Sequence, residues 1–172
     1  MISLRLVAFA AYLLSWALVA VGAVWSAFPT GQPAPAHHHF PGMLLQIAGV
    51  LVITVLLPAG PLAPSPFELG GALALAPAGA LLYVATIAVG RSGGLVTRGP
   101  FALVRHPMYL AFLLLLISTA ALAAAGWRTV AAIALYLAGS ELRIAHEETA
   151  LASPAYEAYR RTIRWRYLPG LR

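Results

Sequence analysis

The sequence predicts an all-α fold, a polytopic bundle of five membrane-spanning helices. Three observations carry that expectation. Hydrophobic residues make up 61% of the 172-residue chain and charged residues 9%, where a soluble domain has about half and about a quarter. Apolar runs recur along the chain, separated by proline, glycine and arginine. All eleven cations are arginine, and most flank the runs rather than sit inside them. So few charges could not cover a soluble core of this composition, so the bilayer is the natural solvent. The net charge of +6 then suits anionic lipid headgroups better than nucleic acid. With no cysteine, disulfides, thiolate metal sites and a cysteine nucleophile are excluded.

Residues 4–28 are apolar apart from Arg5 and two serines. At about 1.5 Å per residue they can cross a hydrocarbon core of about 30 Å. The run is too long for a signal-peptide core and lacks a clear small-residue cleavage site, so it reads as a retained anchor. Pro29, Gly31, Pro33 and Pro35 end it. The loop that follows holds His37, His38 and His39. Adjacent histidines on extended backbone point in different directions, so a solvated loop is the first reading and a metal or substrate role the second. Residues 43–57 form a second run, extendable by Pro41 and Pro58 at its ends, and 58–66 a proline-rich turn. Residues 67–90 form the third run, with Glu68 near its start and Pro77 inside, where a kink is expected.

Residues 93–109, GGLVTRGPFALVRHPMY, are the long polar interruption of the carboxyl half. Pro107 suits the first turn of a helix, where its missing donor costs nothing. Residues 108–125 form the fourth run. Gly126, Trp127 and Arg128 are expected to make a tight turn, and residues 129–139 the fifth run, antiparallel to the fourth in a helical hairpin. This last helix should outrun the membrane, because polar residues from Ser140 onward keep helical spacing. After Pro154 the chain is basic and aromatic, as at a headgroup boundary. With five spans, Arg91, Arg98, Arg105 and the five tail arginines share one side, against Arg5 and Arg128 on the other. The positive-inside rule makes that richer side cytoplasmic.

A second polar stretch, 141–172, holds four of the five acidic residues. It is expected to fold against the 93–109 stretch and make the reactive site. Arg143 and Glu147 are four apart and share a helix face. Glu148 sits about a hundred degrees round. The pair is either functional or a surface salt bridge worth under about 1 kcal/mol. His106 and Tyr109 also share a face at the start of the fourth helix. Alternatively His106 caps that helix, and Arg105 and the tail arginines anchor to phosphates.

The arrangement G-P-F-x-x-V-R-H-P-M-Y-L, a helical hairpin, R-x-x-x-E-E-x-x-L, Y-x-x-Y and a terminal L-P-G resembles the isoprenylcysteine carboxyl methyltransferase family. The wider superfamily includes phospholipid N-methyltransferases. The resemblance covers about residues 86–169. It implies one domain over 1–172, with two amino-terminal spans in 1–66 and a catalytic core in 67–172. A prokaryotic inner membrane is the expected location, with the site and carboxyl terminus cytoplasmic by the arginine count above. The implied cofactor is S-adenosylmethionine. Gly94, Leu95 and Val96 would line it through their backbone, and Phe101 would pack on it where the family often has tyrosine. His106, Pro107, Met108 and Tyr109 would contact it, and Glu147 would take its ammonium group. Arg143 falls where the family holds the substrate carboxylate, so Arg143 and Glu147 are the expected catalytic pair. Three departures stand out. Gly93 replaces a frequent histidine, Ser153-Pro154 replaces F-G before the first tyrosine of Y-x-x-Y, and I-R-W-R-Y-L-P replaces V-P-R-x-x-P with one residue more.

The residues suit that chemistry. Methyl transfer from a sulfonium to a carboxylate is a displacement between opposite charges that vanish in the product. A dry site does not oppose it. A carboxylate is already ionised at neutral pH, so neither a general base nor a metal is required, and positioning can supply most of the catalysis. A lipophilic or lipidated acceptor would enter from the bilayer. An amine acceptor would call for a carboxylate or aromatic cage instead. The other readings are a lipid amine N-methyltransferase, a membrane lipid reductase using NADPH, and a non-catalytic membrane subunit with a structural cluster at Arg143, Glu147 and His106.

Overall fold

A computed structural model of the chain describes residues 4–27, 40–54, 64–91, 94–123, 127–168 and 170. His37 to His39, Gly93, Gly126 and Arg172 lie outside the described residues. Among the described residues are six α-helices and no strand: α1 (Leu4–Ala27), α2 (Phe40–Thr54), α3 (Pro66–Gly90), α4 (Pro107–Leu122), α5 (Trp127–Ala150) and α6 (Pro154–Thr162). A short 3-10 turn at Gly99–Ala102 precedes α4. Two of these helices, α1 and α3, are long and apolar enough to cross a membrane, and α2 and α4 are shorter apolar helices.

The helix boundaries follow local chemistry. Helix α2 begins at Phe40, ahead of the run read from 43, because Pro41 is tolerated in a first turn. Helix α3 opens on a capping box. The Ser65 hydroxyl accepts from the Glu68 amide, and the Glu68 carboxylate accepts from the Ser65 amide at 2.6 Å. Glu68 is thereby assigned to the cap. The helix runs on through Pro77. The turn expected at 126–128 is corrected in part. Trp127 and Arg128 already belong to α5, since neither side chain restricts helical backbone. As expected, α5 is continuous from its apolar half into the polar one and ends at Ala150. Ser153 caps α6 by accepting from the Tyr156 amide, with Pro154 in the first turn. The Ser-Pro departure from the family pattern is therefore a helix start.

Two close-packed groups form the bundle. Helix α3 packs between α1 and α4, while α5 packs chiefly on α2. Glycines permit both approaches. A Cβ on Gly79 would lie 2.8 Å from the Ala111 carbonyl, and one on Gly139 would lie 2.5 Å from the Gly42 carbonyl. The expected hairpin of α4 and α5 holds only as a lighter contact. Helix α5 presents its small residues to α2, so α2 becomes its main partner. The carboxyl ends of α1 and α3 meet where the Arg91 guanidinium donates to the Trp25 carbonyl at 2.6 Å and stacks over its ring.

The most apolar stretches of α1 and α3 are only 22% and 39% buried. Leu14, Val21, Leu81 and Val130 are exposed, while Ser118 and Ser140 are fully buried. Apolar side chains face outward, which suits a hydrocarbon surround and not the core of a soluble protein.

Candidate active site

The two polar stretches meet at one end of the bundle. After α6 the tail returns across the loop before α4. The Arg105 amide donates to the Trp165 carbonyl at 2.9 Å, and the His106 amide donates to the Arg166 carbonyl at 2.7 Å. The Arg105 guanidinium adds bonds to the carbonyls of Ile163 and Arg164. The Tyr159 hydroxyl donates to the Phe101 carbonyl at 2.6 Å, tying α6 to the 3-10 turn. Gly99 turns the chain here with φ +61°, where a Cβ would also press on Val89 at 3.2 Å.

Adjacent glutamates on α5 face different partners. The Glu148 side chain is only 8% exposed and receives Arg105 at 3.0 Å and Arg166 at 3.5 Å. Arg166 also reaches Glu141 at 2.6 Å. Glu147 is 26% exposed and faces a cavity. It accepts a short hydrogen bond from the Tyr109 hydroxyl and lies 3.7 Å from Arg143. His106 stands between the two glutamates. Its Nδ1 is 3.4 Å from Glu147 and its Nε2 3.4 Å from Glu148. A ring facing a carboxylate at each nitrogen can serve both only as the imidazolium.

The electrostatics agree with that geometry. Burial alone would raise Glu148, but the His106 hydrogen bond and the Arg105 guanidinium overcome it and hold the carboxyl down at about 2. Glu147 is lowered likewise, burial being outweighed by bonds from His106 and Tyr109. Burial would lower His106, yet the two carboxylates raise it on balance.

The cavity measures about 720 Å³ and runs between the two packed groups. At its polar end are Phe101, His106, Met108, Arg143 and Glu147. Along its wall, Tyr109, Phe112, Leu116 and Thr119 follow one face of α4. Arg143 is held by a directed chain. Its Nη1 donates to Gln46 Oε1 at 2.9 Å, Gln46 Nε2 donates to Ser140 Oγ at 2.9 Å, and Ser140 donates to the Tyr136 carbonyl. The guanidinium lies over the Tyr109 ring, 5.5 Å from its centre. Its Nε is buried without a partner.

Phe101, His106, Pro107, Met108, Tyr109, Arg143 and Glu147 thus surround one cavity. Gly94, Leu95 and Val96 stand on the loop ahead of the 3-10 turn, outside its lining. Two alternative readings are corrected. His106 holds the cap position of α4 without a side-chain cap bond, because its ring is drawn to the glutamates. Arg105 is buried and paired with Glu148, not free for phosphate. Sequence reasoning gave no place in the site to Glu148, Arg166 or Gln46. The double glutamate was a signal for the first. Gln46 offered one too, as a lone amide in an apolar run, since a polar side chain at membrane depth needs a partner.

A model of the isoprenylcysteine carboxyl methyltransferase (ICMT) family matches residues 71–153, somewhat under half of the chain. The match bears out the resemblance read from the sequence, starting earlier in α3 and stopping before α6. It implies a membrane methyltransferase. No curated protein and no solved structure matches the chain.

Proposed function

We propose, from that family match as premise, that the protein is an integral membrane methyltransferase with five spans. In this reading it uses S-adenosylmethionine to esterify the carboxylate of a lipophilic acceptor. One observation carries the choice of a carboxylate. Arg143 lines the cavity with its side chain 27% exposed, is held by Gln46 through Nη1, and is only loosely engaged by Glu147 at 3.7 Å. A partly exposed guanidinium with spare donors beside an apolar cavity is best satisfied by an anionic ligand such as a carboxylate.

The residues present fit the cofactor. Glu147 offers a partly exposed carboxylate to an ammonium group, and Phe101, Tyr109 and Tyr136 offer aromatic faces to a sulfonium. The cavity volume lies in the range of small-molecule sites. When bound, S-adenosylmethionine supplies an electrophilic methyl group. Transfer of that methyl group to a carboxylate oxygen would leave the electron pair on sulfur and would require no proton transfer from any residue. Arg143 aims the carboxylate, Gln46 holds Arg143, and the apolar wall excludes water, so the rate gain comes mainly from positioning. A nicotinamide dinucleotide would need several phosphate-binding cations. Of the two arginines in the lining, Arg105 is already committed to Glu148.

Calorimetric titration of detergent-purified protein with S-adenosylmethionine and with NADPH tests the reading. Selective binding of the first is expected. Binding of NADPH alone would replace methyl transfer by reduction, and binding of neither would leave a structural subunit.

A further inference from the structure

A second cavity of about 260 Å³ lies beyond the inner end of the first. It is lined by Arg5, Phe9 and Tyr12 of α1, by Leu69 of α3, and by Thr119 and Leu122 of α4. Thr119 belongs to both linings. The Thr119 hydroxyl gives its one proton to the Leu115 carbonyl at 2.8 Å, so in the 3.1 Å contact with Tyr12 it accepts and the phenol donates. Tyr12 faces the second cavity, while Trp16, one turn further along α1 and in edge contact with Tyr12, faces the first. A single hydrogen-bonded pair therefore stands where the two apolar spaces adjoin.

We propose that Tyr12 and Thr119 form a gate that limits the hydrocarbon chain length of the methyl acceptor. This rests on the reading of the large cavity as the acceptor site. A carboxylate at Arg143 directs its chain along Tyr109, Phe112, Leu116 and Thr119. Ten residues of helix separate Tyr109 from Thr119, about 15 Å, the reach of roughly a dozen chain carbons. A longer chain must break the Tyr12–Thr119 bond and enter the second cavity. That space adds about one helical turn, from Thr119 to Ala123, and accepts a linear acyl or prenyl tail. The paired hydroxyls satisfy each other there and offer little to an apolar chain that parts them.

The test uses a homologous series of 3-(alkylthio)propanoic acids, from chains that stop short of Thr119 to chains that overrun it. Two readouts are taken on full-length detergent-purified protein: thermal stabilisation by each acid without cofactor, and methyl ester formation with S-adenosylmethionine. Wild type should show a plateau once chains reach Thr119. Tyr12→Ala should extend the rise to longer chains, gaining about tenfold in apparent affinity for two further buried carbons. Leu122→Trp in that background refills the second cavity and should restore the plateau. Should Tyr12→Ala fold poorly, Thr119→Val keeps the side-chain volume, removes the bond, and should move the plateau in the same direction. A chain-length profile of stabilisation unchanged in both variants overturns the gate. A shifted profile with no ester formed from any acid keeps the gate and overturns the proposed reaction.

Discussion

Glu147 and Glu148 are neighbours in sequence with opposite surroundings. Glu148 is enclosed by Arg105, His106 and Arg166, with the tail stitched over it by two backbone bonds. Glu147 is more open, faces the cavity, and its contacts with His106 and Arg143 are long. The first is a closed latch, the second a wall with spare capacity. A single step along the helix, about a hundred degrees of rotation, thus separates a group that holds the fold from a group that faces the cavity. His106 is the side chain that touches both.

The sharpest way to break this contrast is Glu148→Ala. It leaves Arg105, 5% exposed, without its buried counter-charge. The loss should be about 3–5 kcal/mol, seen as a large fall in thermal midpoint. An unchanged midpoint would end the latch reading. Glu147→Ala should do the reverse, keeping the midpoint near wild type while S-adenosylmethionine affinity falls about ten- to hundredfold, as for a lost charged hydrogen bond. Equal destabilisation by both substitutions would erase the distinction. Arg143→Ala should keep cofactor affinity and cut acceptor turnover about tenfold or more, measured as methyl ester formed per enzyme. Unchanged turnover would remove Arg143 from its role. Gln46→Met withdraws only the support of Arg143, and should raise the acceptor KM about fivefold with a smaller change in kcat.

The smallest effect concerns pH. His106 is raised above its ordinary 6.5, so the stability it confers is fully present below that value and is lost as pH rises through its folded pKa. Glu148 is depressed from 4.5 to about 2, so its contribution is present above 4.5 and disappears as pH falls toward 2. Thermal midpoints across pH should decline on both sides, and His106→Gln should abolish the alkaline decline and shrink the acid one, because His106 helps to hold Glu148 down. An alkaline decline that survives in that variant would belong to another group.

Much of the wall was legible beforehand. Arg143 and Glu147 share a face by spacing, His106 and Tyr109 likewise, and the family pattern joined the two pairs. The latch was not legible. Arg105 looked like a headgroup anchor, and Arg166 lies in a tail one residue longer than the family's. Only the return of the tail across residues 105 and 106 brings them to Glu148. The lighter contact of α4 with α5 was equally hidden, because a short connection makes neighbours without making them principal partners.

The amino-acid sequence by itself determined the helical class, the outward apolar character, and which side chains share a helix face. Those properties depend on composition and on a period of about 3.6 residues, both local. Tertiary structure alone decided that α5 lies on α2, that Gln46 steers Arg143, and that Tyr12 meets Thr119 at the end of the cavity. These depend on how closely backbones approach at glycines such as Gly79 and Gly139. Residues about a hundred positions apart become partners only after that distance is set.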